Sequence, residues 1–170
     1  MRDEGAALRA RPSSLVLRPR SPLSRYVPVL VWLGLIFYAS TGDLSASNTS
    51  RIIRPLVLWL YPDITEPALL QIHFLVRKAA HFTEYAVLAL LAARAFLSSP
   101  REGLRRRWAA ASFALVAACA LLDELHQSFN TARTGTIYDS LLDMSGGAAA
   151  LAALALLRRV RRKKSESEAA

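Results

Sequence analysis

The sequence contains only one cysteine, and it has far fewer acidic than basic residues. One thiol has no partner within the chain, so no intramolecular disulfide can form, and Cys119 is expected to pack inside its apolar run. Aspartate and glutamate together number 13, against 22 lysines and arginines, which gives a formal net charge of +9 at pH 7. No tandem repeat is visible, so a repeat architecture is not indicated.

The excess of basic residues lies in blocks that flank apolar runs. The blocks fall within residues 2–25, 101–107 and 158–164. Hydrophobic residues make up 53% of the chain, and the mean hydropathy is +0.24. Basic flanks around apolar runs are typical of membrane proteins whose positively charged loops stay in the cytoplasm, whereas a nucleic-acid-binding protein concentrates its basic residues on one surface. We therefore expect one membrane domain and no nucleic-acid partner.

Four apolar segments are each close to the roughly 20 residues that cross a ~30 Å hydrocarbon core, although the first is short. They lie at residues 26–40, about 79–97, 108 to about 129, and 137–157. Only helices satisfy their own backbone groups in lipid when no closed barrel is present. The sequence thus predicts an all-α, multi-pass membrane bundle of four transmembrane helices.

The basic blocks also predict the topology. A membrane domain at 26–157 would lie between two unstructured cytoplasmic tails, 1–25 and 158–170, with the loops at 41–76 and 130–136 outside. The arginine-rich start could also belong to a cleaved signal peptide. A retained first membrane helix is favoured over this alternative, because no clean A-x-A cleavage site follows. The long outer loop is interrupted by Pro62 and Pro67, and its apolar residues suit either a helix lying in the membrane interface or a loop folded over the helix ends.

This topology brings acidic residues from three helices to one end of the bundle. Glu84, Asp123 and Asp143 would each lie about 7 to 11 Å below the outer boundary, from the helical rise per residue. On the second predicted helix, Glu84 and Tyr85 lie three and four residues after His81, so both are neighbours of His81 on a face that they share with Arg77. Charges at membrane depth are costly, so these groups are expected to face one another or a cavity.

The sequence therefore predicts a polar, partly hydrated pocket that opens to the outside. Its expected members are carboxylates and the cations or polar groups that would face them: Glu84, Asp123, Glu124, Asp139 and Asp143, with Arg77, Lys78, His81, Tyr85, Gln127 and Arg133.

Two stretches, "RKAAHFTEYAVLALL" and "LLDELHQSFNTARTGTIYDSLLDMSGG", resemble the VanZ-like family of bacterial membrane proteins, which is named after a teicoplanin-resistance accessory protein. The resemblance covers roughly residues 31–157. The family pattern falls on the following residues: Arg77, Lys78, His81, Phe82, Glu84 and Tyr85, then Asp123, Glu124, Gln127, Phe129, Arg133 and Asp139, then Gly146 and Gly147. Two positions depart from it: Thr131-Ala132 replaces a common Pro-Gly, and Asp143 replaces a frequent Asn. The resemblance implies a multi-pass protein of the bacterial cytoplasmic membrane, with a role in the cell envelope and in glycopeptide sensitivity, without naming a reaction.

Three interpretations of the pocket remain open at this point. In the first, it binds or modifies a lipid-linked cell-wall precursor or a phospholipid headgroup, with Glu84 or Asp123 as general base, His81 and Tyr85 as donors, and Arg77 and Arg133 holding an anion. In the second, the polar groups are interhelical contacts that hold the bundle together. In the third, they form an ion or proton route or a metal site. No organic cofactor is expected, and the oligomeric state is not predicted.

Overall fold

The computed structural model describes residues 22–40, 46–128 and 137–168, and nearly all of them are helical. The helices are α1 (Pro22–Ser40), α2 (Ala46–Leu60), α3 (Glu66–Leu97), α4 (Glu102–Arg106), α5 (Trp108–Ser128) and α6 (Ile137–Glu168). No strand occurs in these ranges, so the predicted all-α class is confirmed for the part of the chain that the structure describes.

Three of these helices are long and apolar enough to cross a membrane, namely α3, α5 and α6. The apolar part of α1, Leu23–Ala39, is shorter than a typical span. A helical membrane bundle is thus supported, with three helices that meet the length requirement and a fourth apolar helix that falls just below it.

Two helix boundaries differ from those that the sequence predicts: the start of α3 and the end of α6. Helix α3 begins at Glu66 rather than near residue 79, because Pro67 lies in its first turn, where proline is tolerated. Helix α6 continues to Glu168, so the prediction of an unstructured tail from residue 158 is wrong for most of that tail. Ion pairs four residues apart, such as Arg162 with Glu166, support this last part of α6.

Helix α2 lies in the segment for which the sequence predicts a long outer loop. It is connected to the start of α3 by an ion pair in which Arg54 Nη1 donates to Glu66 Oε2 at 3.0 Å. This hydrogen bond and the charge of Glu66 raise the pKa of Arg54 above its ordinary value. Large apolar side chains of α2, including Trp59 at 78% exposure, face away from the bundle, as expected for a helix in the membrane interface.

Contacts between side chains show that α3 and α6 run in the same direction. Lys78 of α3 pairs with Asp139 of α6, and His81, further along α3, lies beside Asp143, further along α6. Residue numbers that rise together on two contacting helices mean that the helices are parallel. Both therefore cross from the same side, as the predicted topology requires.

Helix α5 runs antiparallel to this pair. The Ser140 hydroxyl donates to the Ala120 carbonyl oxygen at 3.3 Å, while Gly147, further along α6, contacts Val116, which comes earlier in α5. Helix α1 is likewise antiparallel to α3. The four long helices thus alternate in direction along the chain, which places one end of α3, α5 and α6 together.

The core depends on small residues that bring the helices close to one another. Helix α3 contacts all five other helices, and Ala89 and Ala93 on it have no exposed surface. A Cβ atom added at Gly146 of α6 would lie 2.2 Å from the Phe82 carbonyl oxygen of α3. Close backbone approach through small residues is a common way for membrane helices to pack, because their apolar faces gain little from contact alone.

Candidate functional site

Three ionisable side chains from three helices meet near one end of the bundle. They are His81 of α3, Asp123 of α5 and Asp143 of α6, and one nitrogen or carboxylate oxygen from each lies within 4.8 Å of the others. Asp123 is 8% exposed and Asp143 is 4% exposed. We refer to these three residues as the His-Asp cluster.

Helical spacing explains why these residues share a site. Lys78 and His81 are three residues apart on α3, and Asp139 and Asp143 are four apart on α6, so each pair lies along one face of its helix. The parallel arrangement aligns the two faces. Lys78 forms an ion pair with Asp139, and one turn further into the bundle His81 Nδ1 lies 3.6 Å from Asp143 Oδ1.

Tyr85 lies one turn beyond His81 on the same face of α3 and has no exposed surface. Its hydroxyl has no hydrogen-bond partner in the described part of the chain, and the charges of Asp123 and Asp143 act on it.

Glu84 is half-buried, and its backbone carbonyl oxygen accepts a hydrogen bond from Trp32 Nε1 at 2.9 Å. This bond fixes α1 beside the polar end of α3.

Within the described ranges, several carboxylates surround the His-Asp cluster. The charges of Glu84 and Glu124 act on Asp143, as does that of Asp123. Lys78 is a cation that also acts on Asp143, and it forms an ion pair with Asp139. Burial weakens the screening of these charges by water, so the carboxylates repel one another more strongly than they would at a surface.

A mostly apolar cavity of about 370 Å³ lies between α1 and α5 and reaches the His-Asp cluster. Its lining residues are Leu33, Ile36, Phe37, Cys119, Leu122 and Asp123. Asp123 is the charged residue among the described residues of this lining, and it also belongs to the His-Asp cluster. We call this cavity the α1–α5 groove.

The structure brings together most of the site residues that the sequence predicts. His81, Tyr85, Asp123 and Asp143 are in or beside the cluster, whereas Lys78 and Asp139 pair with each other at its edge. The remaining predicted residues divide into two groups. Glu84, Glu124 and Arg77 are partly exposed; Arg133 and the side chain of Gln127 lie outside what the structure describes.

Sequence reasoning missed several residues of this region. Ser140 is buried and donates to the Ala120 carbonyl oxygen, and its position three residues before Asp143 on α6 was a signal for a shared face. Nothing in the sequence indicated that Trp32, Ile36 and Phe37 of α1 lie beside the site. In a helix of mostly apolar residues, the sequence does not reveal which side contacts a neighbour.

The fold and the cluster define a class of protein: a small helical membrane protein with a polar site buried where three of its helices meet. Comparison with known families gives a narrower assignment. The family model described as VanZ/LLP1 matches residues 26–158. The match covers well over half of the chain, so the protein belongs to this family, as the resemblance predicted. No curated protein and no solved structure matches the chain.

Proposed function

We propose that the protein binds the headgroup of an envelope lipid at its polar end and thereby affects sensitivity to teicoplanin-type glycopeptides. The lipid is either a lipid-linked cell-wall precursor or a phospholipid. The observation that carries this proposal is the α1–α5 groove, in which an apolar lining leads to the buried carboxylate of Asp123. An apolar chain and a polar head joined in one molecule match these two surfaces.

The size and position of the groove support a lipid as the ligand. A volume of about 370 Å³ lies within the usual range for small-molecule sites, roughly 300–1,000 Å³. The groove lies between two apolar helices, so a lipid chain could enter it sideways from the bilayer without passing through water. Leu33, Ile36 and Phe37 of α1 would contact the chain, and Asp123 of α5 would be near the headgroup.

The polar residues around the cluster supply groups suited to a phosphate-bearing headgroup. Lys78 and Arg77 are cations on the same helix as His81, and Arg133 is a third cation of the family pattern. If the headgroup is also modified, Asp123 or Glu84 is the candidate general base, because each is a carboxylate at the polar end of the bundle. Binding is the primary proposal, and modification is an outcome of the test.

We also propose that this polar end faces the outside of the bacterial cytoplasmic membrane. At the opposite end, a cavity of about 700 Å³ is lined by basic residues of α6, including Arg158, Arg162 and Lys163. The Arg158 guanidinium lies 5.8 Å from the centre of the Trp108 ring. Basic residues beside an aromatic ring are typical of the cytoplasmic boundary of a membrane, so both tails would be cytoplasmic.

The groove is tested by filling it. Leu122→Trp places a large ring at the groove, whereas Leu121→Trp makes the same change at the adjacent, similarly exposed residue that does not line it. Each variant is expressed in a deletion strain at matched membrane abundance, and teicoplanin susceptibility and co-purified lipids are measured. We expect Leu122→Trp to lose the co-purified lipid and the wild-type susceptibility, and Leu121→Trp to retain both. Equal behaviour of the two variants would contradict the proposal.

Variants of the two candidate general bases, made in the same deletion strain, distinguish lipid binding from lipid modification. Glu84→Gln and Asp123→Asn remove charge with little change of shape. Normal protein levels with altered envelope-lipid composition would show modification, and altered susceptibility with unaltered lipids would show binding alone. Loss of the protein from the membrane would instead favour a structural role for these carboxylates.

A further inference from the structure

We propose that the His-Asp cluster binds one divalent first-row metal ion, Zn²⁺ or Mn²⁺, between α3, α5 and α6. His81, Asp123 and Asp143 each offer one ligand atom, and these atoms lie within 4.8 Å of one another. The three helices are joined at this level by contacts that do not involve the cluster, such as the Ser140–Ala120 hydrogen bond. The ligands are therefore held on a packed framework rather than on loops.

The spacing of the ligand atoms suits a shared cation. Metal bonds of about 2.1 Å in a tetrahedral site place neighbouring ligand atoms about 3.4 Å apart. His81 Nδ1 and Asp143 Oδ1 are 3.6 Å apart, which is longer than the usual N–H···O hydrogen bond of roughly 2.7–3.2 Å. Small side-chain rotations would bring all three ligand atoms to bonding distance from one ion.

Two buried polar groups point independently to a ligand at this site. The Asp143 side chain is only 5% exposed, and within the described ranges its Oδ1 accepts no hydrogen bond. The fully buried Tyr85 hydroxyl, one turn from His81, likewise lacks a hydrogen-bond partner there. Buried polar groups in folded proteins nearly always have a partner, including ordered water or an ion. A metal ion would bind the carboxylate, and a water on that ion could donate a hydrogen bond to the hydroxyl oxygen of Tyr85.

Charge gives a further reason for a cation. Asp123 and Asp143 are both largely buried, and they interact with each other and with Glu84. Two close carboxylates in a poorly solvated site are strongly destabilising unless they are neutralised. A doubly charged ion bound between them would balance both charges.

The donor atoms limit which ion fits. One imidazole nitrogen and two carboxylate oxygens make a mixed set that suits Zn²⁺ and Mn²⁺, whereas Ca²⁺ takes six to eight oxygen ligands and Cu⁺ favours sulfur. Three protein ligands also leave a coordination position open, which is the arrangement of catalytic rather than structural zinc sites. That open position would be next to the polar end of the α1–α5 groove, because Asp123 belongs to both.

This inference concerns the site of the proposed function, but it rests on the cluster geometry and not on the groove. The experiment uses the full chain in detergent micelles. The protein is stripped with a chelator and dialysed against Zn²⁺ or Mn²⁺, and the bound metal is measured by elemental analysis. We expect about one equivalent of one of the two ions. Asp143→Asn and His81→Gln should bind it at least about tenfold more weakly.

Asp139→Asn is the matched control, since it makes the same change on α6 one turn away, at a carboxylate outside the cluster. It should retain metal with an affinity close to that of the wild type. Metal content of the wild type at the level of a protein-free blank, with both ions, would overturn the proposal. Equal loss of metal in Asp139→Asn and Asp143→Asn would overturn it as well.

A measurement on the wild type alone covers the case in which a cluster variant does not fold. Chelation should lower the unfolding temperature, and the selected ion should restore it. Cobalt substitution should give visible absorption bands that depend on His81. An unfolding temperature that responds to neither chelator nor ion would count against the site. The lipid proposal is judged separately by Leu122→Trp, so metal binding without any lipid effect, or the reverse, tells the two proposals apart.

Discussion

Tyr85 combines complete burial with a hydroxyl that has no hydrogen-bond partner among the described residues. Leaving a buried polar group without a partner costs roughly 1–3 kcal/mol, so the fold gains nothing from this hydroxyl in the absence of a ligand. The ring contributes differently, because it packs in the core with Leu88 and Val116. The hydroxyl and the ring of Tyr85 can therefore be separated by experiment.

We predict that Tyr85→Phe leaves the unfolding temperature of chelator-treated protein unchanged or raises it, because it removes only the hydroxyl. Ser140→Ala provides the contrast, since the Ser140 hydroxyl does donate to the Ala120 carbonyl oxygen and its loss should cost about 0.5–1.5 kcal/mol. Thermal unfolding in detergent measures both. A large destabilisation by Tyr85→Phe without metal would mean that the hydroxyl has a partner in the fold itself.

At the scale of single residues, the sequence predicts the members of the site better than their pairing. Spacing and depth identify His81 and Asp123, because charges in apolar helices must meet one another. The pairing of Lys78 with Asp139 depends on the parallel register of α3 and α6. Register is set by packing across the whole helix contact, which no short motif encodes.

Close contact between α3 and α6 determines this register at the scale of the helices. At Gly146 the Phe82 carbonyl oxygen leaves no room for a side chain. At Gly147 the Val116 side chain leaves only slightly more room. A Cβ atom added at Gly34 of α1 would meet nothing within 4 Å, so Gly34 is a glycine of the same membrane domain at which a methyl group fits. The three glycines form a graded series.

We predict that Gly146→Ala destabilises the protein more than Gly147→Ala, and that Gly34→Ala has little effect. A Cβ at 146 would lie 2.2 Å from backbone, which cannot move without shifting a helix, whereas at 147 it would lie 2.7 Å from a side-chain methyl. Overpacking typically costs about 1–3 kcal/mol, and Gly146→Ala should reach the upper end. Unfolding temperatures and yields of the three variants measure the order, and a reversed order would contradict the packing.

The helix boundaries show where sequence patterns mislead. The apolar pattern predicts the second membrane helix at 79–97, but α3 begins at Glu66, because the proline that suggests a break occupies its first turn. The basic end of α6 suggests a disordered tail, but basic and acidic residues four apart allow the helix to continue. Proline and runs of basic residues often mark the end of a helix. Here the proline lies in a first turn and the basic residues lie four residues from acidic ones, so the helix tolerates both.

The arrangement of the whole molecule follows from the alternating directions of α1, α3, α5 and α6. Alternation places all the clustered acids at one end and the basic residues of α6 at the other. The sequence predicts this separation well, because it depends only on the order of the apolar segments and on which end of each carries charge. The shape of the α1–α5 groove depends on side-chain packing and was not predictable.

We predict that the α2–α3 turn faces outward and that α4 faces the cytoplasm. Single cysteines introduced as Asp63→Cys and Gly103→Cys, in a Cys119→Ala background, report the two sides. An impermeant thiol reagent applied to intact cells should label position 63, and position 103 should react only after the inner membrane is permeabilised. The opposite pattern would invert the topology and place the His-Asp cluster near the cytoplasm.

The order of the helices along the chain also has a consequence for biogenesis. Lys78 and His81 enter the membrane with α3, yet their partners Asp139 and Asp143 belong to α6, which is translated well after α3. During synthesis the bilayer therefore contains basic groups before the acids that accompany them have been translated. These basic groups gain their acidic partners only when α6 has been made, so a chain truncated before Asp139 should be a substrate for membrane quality control.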